Sequence, residues 1–77
     1  MKHFYKIRDI EDDDKYSQYL ATNRKCKKII ERAIGDFYGG DENGNRIEAD
    51  NVFDTIEQYL DMRDIEWKWI KFTVVDF

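Results

Sequence analysis

Four carboxylates, Asp54, Glu57, Asp61 and Asp64, are spaced three, four and three residues apart. On a helix that spacing stacks them on one face, because side chains three and four apart are neighbours. Like charges so placed cost about 0.2–0.5 kcal/mol per pair, and Arg63 is the only cation close by in sequence to relieve them. One reading of the stripe is a solvated face. The other is a row of negative charge offered to a basic partner, standing where a nucleic acid would place its phosphates. Trp67 and Trp69 follow, two apart and therefore on one face of a strand. Core packing accounts for at least one ring; the other is a candidate interface anchor, a role in which tryptophan is common. These six residues are the candidate partner-binding set.

A basic counterpart lies upstream. Arg24, Lys25, Lys28 and Arg32 form a candidate basic face, with Arg24, Lys28 and Arg32 repeating at four. Its ordinary reading is solubility and pairing with acids elsewhere in the chain. Its functional reading is a weak nucleic-acid contact. A sheet carrying aromatic residues beside basic ones would be similar to single-strand binders that stack bases, but no aromatic-and-glycine signature of that kind is visible. The chain's net charge of −4 also opposes binding to phosphate.

Catalytic constellations are missing. His3, Ser17 and Cys26 are each the only residue of their type. Cys26 falls near an apolar stripe, which predicts a buried, inert thiol. There is no glycine-rich phosphate loop followed by lysine or serine and no histidine–carboxylate zinc spacing. A carboxylate pair can do acid–base chemistry, yet among 17 acids no pair is singled out. The expectation is a chain that is not an enzyme, with no cofactor and no metal.

The stretch GGDENGNRIEADNVF, residues 39–53, resembles an EF-hand or dockerin-type calcium loop shortened by one residue. Such loops need oxygen ligands at positions 1, 3, 5 and 12 and glycine at 6. With Asp41 first, Asn43 and Asn45 fall at 3 and 5, but Arg46 occupies position 6 and Val52 position 12. With Ile47 at position 8, the first ligand becomes Gly40 and the twelfth Asn51. Both registers lose the closing glutamate. The simpler expectation is an Asn43-Gly44 turn with Asp50 or Asn51 capping the helix behind it.

These residues need elements to position them. HFYKIR, residues 3–8, reads as a strand, ended by the acidic run at 11–14. From Lys15 to about Ile34 the apolar residues Tyr16, Tyr19, Leu20, Cys26, Ile29, Ile30, Ala33 and Ile34 recur at three and four, which predicts a helix. Gly35 or Gly39 would end it. DFYG and RIEA, residues 36–39 and 46–49, would then form a short hairpin around Asn43-Gly44. A second helix carries Val52, Phe53, Ile56, Tyr59, Leu60 and Arg63 on one stripe. IEWKWIKFTVVDF, residues 65–77, reads as a last strand whose alternation changes phase near Trp69–Lys71.

The fold class expected is α+β: a small two-layer sandwich of one domain over residues 1–77, two helices on one face of an antiparallel sheet. The order β-α-β-β-α-β is that of ferredoxin-like folds. If the middle hairpin fails, β-α-loop-α-β remains, with the terminal strands paired.

Composition agrees with a folded chain. Hydrophobic residues are 42% and aromatics 16%, too many for disorder. A chain of 77 residues nevertheless buries only about 60% or slightly more of its unfolded surface. Charge is unevenly spread. Lys15 to Arg32 holds six basic residues and one acid, a balance of +5, and the remainder holds seven basic and sixteen acidic, a balance of −9. The N-terminal residues lack an apolar leader core, and no run approaches a membrane span. With one cysteine and no leader, a reducing cytoplasm is expected.

The function expected is non-enzymatic protein binding, with a basic protein as partner and, in the sharper form of the expectation, one that binds nucleic acid. In size, acidity and lack of catalytic residues the chain is similar to small phage-encoded inhibitors, anti-CRISPR proteins among them. That likeness implies an acidic inhibitor that mimics nucleic acid; no motif carries it. Two alternatives stand beside it. One is a weak nucleic-acid-binding module using the basic first helix. The other is a structural or regulatory homodimer joined through the last strand.

Overall fold

The structure is a computed structural model that describes residues 1–9, 17–40, 43–45 and 47–70. Its elements run β1 (His3–Arg8), β2 (Ser17–Thr22), α1 (Lys27–Gly39), α2 (Val52–Asp61) and β3 (Trp67–Ile70). The three strands form one antiparallel sheet in the order β1-β2-β3. Tyr5 faces Leu20 across the first pair, and Leu20 faces Trp69 across the second.

Alternation along the strands separates two faces. Tyr5, Ile7, Leu20, Trp67 and Trp69 point to one side and join a core with Ile30 and Ala33 of α1 and Val52, Phe53, Ile56 and Leu60 of α2. Phe4, Lys6, Arg8, Tyr19 and Lys68, one residue out of phase, are exposed on the other. Both helices therefore cover one face of the sheet, giving the two-layer α+β arrangement.

The order of elements differs from the expectation. Ser17–Thr22 is the central strand, where the apolar spacing predicted helix. Tyr19 and Leu20 lie on opposite faces of that strand: Leu20 is fully buried and Tyr19 is 37% exposed. The break follows at Asn23. Its side-chain oxygen accepts from the Glu66 N–H at 3.2 Å and its own N–H donates to the Glu66 carbonyl, which ties the end of β2 to the start of β3. The order is thus β-β-α-α-β among the described residues, and β2 separates the two outer strands. Neither β-α-β-β-α-β nor a sheet with paired terminal strands is found there.

The expected middle hairpin is likewise replaced. Asp36 to Gly39 continue α1, and 47–49 are not a strand. Gly35 lies inside the helix with nothing within 4 Å of the place a Cβ would take. Tertiary contacts carry the helix past it. The Tyr59 hydroxyl donates to Asp36, the Tyr38 hydroxyl donates to Asp9 at 3.3 Å, and Phe37 packs against the core. α1 stops at Gly40, whose φ of 85° is left-handed and whose N–H returns to the Asp36 carbonyl at 2.9 Å. Gly44, at φ 78°, supplies the turn expected of Asn43-Gly44. Asp41, Glu42 and Arg46 of the calcium-like stretch, and the expected change of phase at Lys71 and beyond, lie outside the described residues.

Candidate functional site

α2 carries the acidic stripe, and its start is well specified. Asn51, not Asp50, is the cap: its side-chain oxygen accepts from the Asp54 N–H at 2.9 Å. Asp54 in the first turn complements the positive end of the helix dipole. The apolar stripe of Val52, Phe53, Ile56 and Leu60 faces the core, which turns Asp54, Glu57 and Asp61 outward along one edge.

Those three carboxylates line an open groove of about 600 Å³ together with Glu48, Ala49, Asp50 and Gln58. Five acids contribute to its wall, and among the described residues no lysine or arginine does. The segment before α2 supplies the second side. Gln58 Nε2 donates to the Glu48 carbonyl at 3.4 Å, tethering that segment to the helix.

The tryptophans meet the same acids. Trp69 Nε1 donates to Glu57 Oε1 at 2.6 Å, and Trp67 Nε1 donates to Asp61 Oδ1 at 2.7 Å. The rings are half-buried. Trp69 sits edge-on to Phe53, 5.4 Å between centroids, and edge-on to Trp67 at 6.2 Å. The aromatic run joins β3 to α2, and each indole N–H finds the acceptor that a partly buried tryptophan needs. Two of the acids thus help to hold the fold together by satisfying the strand's indoles. Each carboxylate offers about four lone-pair directions and uses one on its indole, so acceptor capacity remains on the groove side.

Asp64 parts from the stripe. α2 ends at Asp61, and Asp64 lies beyond it in a left-handed turn with φ 54°. Its N–H donates to the Asp61 carbonyl at 3.2 Å. Arg63, the cation expected to relieve the stripe, bonds the Tyr59 carbonyl at 3.0 Å and lies 5.7 Å over the Tyr59 ring. Glu48 and Asp50 are the groove residues that sequence reasoning missed. Their signal was two acids at alternate positions immediately ahead of an acidic helix face.

The basic residues do not form one helical row. Arg24 and Lys25 precede α1, so only Lys28 and Arg32 share its spacing. Arg32 Nε lies 3.8 Å from Asp36, and Lys27 lies 3.9 Å from Glu31. Cys26 takes the cap position of α1 without a side-chain cap bond. It is 3% exposed, as its apolar neighbours predicted, and its Sγ lies 3.7 Å from Thr22 Oγ1.

Among the described residues no group of three or more His, Cys, Asp or Glu is placed to hold a metal ion, and no helix is long and apolar enough to cross a membrane. No protein-family model, no curated protein and no solved structure matches the chain.

Proposed function

We propose that this chain is a non-enzymatic protein-binding module whose acidic groove receives a basic partner. In its sharper form the module mimics nucleic acid and blocks a DNA- or RNA-binding protein. The observation that supports this reading is the pair of indole bonds to Glu57 and Asp61, set in a groove with three further acids. A flexible carboxylate loses side-chain entropy when a partner fixes it. Here two are already fixed, which lowers the cost of binding lysine or arginine. The remaining oxygens and the negative charge of Glu48, Asp50 and Asp54 attract the cations. Binding would weaken as salt rises, because the groove is open to solvent.

The test neutralises Asp54→Asn, Glu57→Gln and Asp61→Asn together. Both amide side chains keep a carbonyl acceptor for the indoles, so the fold is retained. Removing repulsion gains about 0.2–0.5 kcal/mol per pair relieved, which offsets the loss of Asp54's charge at the positive end of the helix dipole. The partner is recovered from the native cell with the unaltered chain, and its affinity for both forms is measured at two salt concentrations. Affinity should fall by at least tenfold in the neutralised form, and duplex nucleic acid should displace the unaltered one. Full affinity in the neutralised form would remove the groove from the interface. Simultaneous binding of duplex and chain would remove the mimicry.

A further inference from the structure

The sheet's second face is chemically unlike the groove. Phe4 on β1 is 63% exposed and Tyr19 on β2 is 37% exposed. Phe4 pairs with Ala21 and Lys6 pairs with Tyr19, so the two rings are diagonal neighbours on adjacent strands. Side chains so placed are separated by about 7–8 Å. The Lys6 ammonium lies 5.9 Å from the Tyr19 ring centroid. Ala21 also pairs with Lys68, which brings a second exposed ammonium to the other side of the small central residue. None of the described strand residues on this face is acidic.

An exposed phenylalanine flanked by lysines is not explained by the core, which lies on the opposite side of the sheet. Single-stranded nucleic acid offers the two features this face complements: flat bases to stack on aromatic rings and a phosphate chain to lie beside ammonium groups. A duplex offers phosphates but no free base faces. We propose that the sheet face turned away from the helices is a binding site for single-stranded nucleic acid, with the exposed Phe4 and Tyr19 as stacking platforms and Lys6 and Lys68 as phosphate contacts around the buried Ala21. The site is separate from the basic start of α1 and from the acidic groove, both built on the helical layer. The chain's net charge of −4 makes the binding weak and strongly dependent on salt.

The chain alone is titrated into fluorescein-labelled decathymidylate and followed by anisotropy at a series of potassium chloride concentrations. Saturable binding is expected at low salt. Two phosphate contacts on a single strand give a slope of about −1.4 for log affinity against log salt. Phe4→Ala should weaken binding at least about fivefold, the lower end for loss of one stacked base. Phe4→Tyr should keep it, and Phe4→Leu should behave like alanine, since stacking needs a ring. Lys6→Gln should lower the slope by about 0.7; this readout stands even if a Phe4 variant fails to fold. Absence of binding at the lowest salt would overturn the proposal. So would binding that Lys28→Gln reduces while Phe4→Ala and Lys6→Gln leave it unchanged, which would place it on α1. A dimer in sedimentation that Phe4→Ala dissociates, without oligonucleotide binding, would instead assign the face to a second copy of the chain. Neither the groove acids nor the groove's partner enters this experiment, so its failure leaves the groove reading untouched.

Discussion

The two helices of this small domain are held by different means. α2 is specified locally. It has an asparagine cap, an aspartate in its first turn, and five of its ten residues buried. α1 is longer, at 13 residues, yet only Ile30 and Ala33 are buried. It has no side-chain cap and no acid in its first turn, where Lys27 and Lys28 instead oppose the helix dipole. Its start is fixed from outside: the Cys26 N–H donates to the Tyr5 hydroxyl of β1 at 3.0 Å. Its second half is held by Tyr59 and Tyr38. One helix would be recognised from its own residues, and the other depends on the rest of the molecule.

The largest test of this contrast removes core atoms. Ile56 is fully buried in α2, whereas Ile29 of α1 is only partly buried against the core. Ile56→Ala should cost about 2–5 kcal/mol, a large share of the stability of so small a domain. Ile29→Ala should cost much less. Urea denaturation of both variants measures the difference, and equal losses would refute the claim that α2 carries the core. Next in size is the cap. Asn51→Ala should cost about 1 kcal/mol, within a range of roughly 0.5–2, read as a lower urea midpoint at unchanged slope.

This asymmetry explains what was legible in the sequence. α2 combined a cap and an apolar stripe in one window, so its start and most of its buried face and outward acids were readable, whereas Arg63 and Asp64, read on the same two faces, lie beyond its end at Asp61. β1 was readable too, since His3 to Arg8 alternate cleanly between the faces. β2 was not. Tyr19 and Leu20 happen to lie at helical distances from Tyr16, and the stripe of Ile29, Ile30 and Ala33 then extends the same period. The information that separates them is a tertiary pairing, Leu20 between Tyr5 and Trp69, which no local window contains. Gly35 misled for a related reason. A glycine after an apolar stripe resembles a stop, but Asp36 and Tyr38 have partners 23 and 29 residues away that hold the helix beyond it. At the candidate groove, the acids of α2 were legible as a stripe and the tryptophans as a pair on one face. Their mutual bonds, and the contributions of Glu48 and Asp50, required the path of the chain ahead of α2.

Two smaller changes sharpen the contrast by improving α1. Gly35 is exposed, helical and free of neighbours around its missing Cβ. Gly35→Ala should therefore stabilise the domain by about 0.5–1 kcal/mol, the cost of glycine in a helix interior. Thermal unfolding followed by circular dichroism reads this as a higher midpoint. A loss of stability would show that the helix needs the glycine's freedom, and that α1 is strained at its middle.

The smallest effect is expected at the start of α1. Lys28 stands in the first turn, beside amide N–H groups that lack helical acceptors. Replacing it by glutamate puts negative charge at the positive end of the dipole, worth about 0.3–1 kcal/mol at low ionic strength. It also creates an acid-to-arginine pair with Arg32 four residues on, in the favourable orientation, for about 0.2–0.5 kcal/mol. Against these stands a new repulsion with Glu31, three residues on, of similar size to the pair gained. The dipole contribution remains, so Lys28→Glu should raise stability by a few tenths of a kcal/mol, and added salt should erase the gain. The same substitution at the start of α2 would have nothing to improve, because Asp54 already provides the charge and Asn51 the cap. If Lys28→Glu destabilises the protein at low salt, the first turn of α1 is already electrostatically satisfied, and the contrast between the helices fails at its N-terminal end.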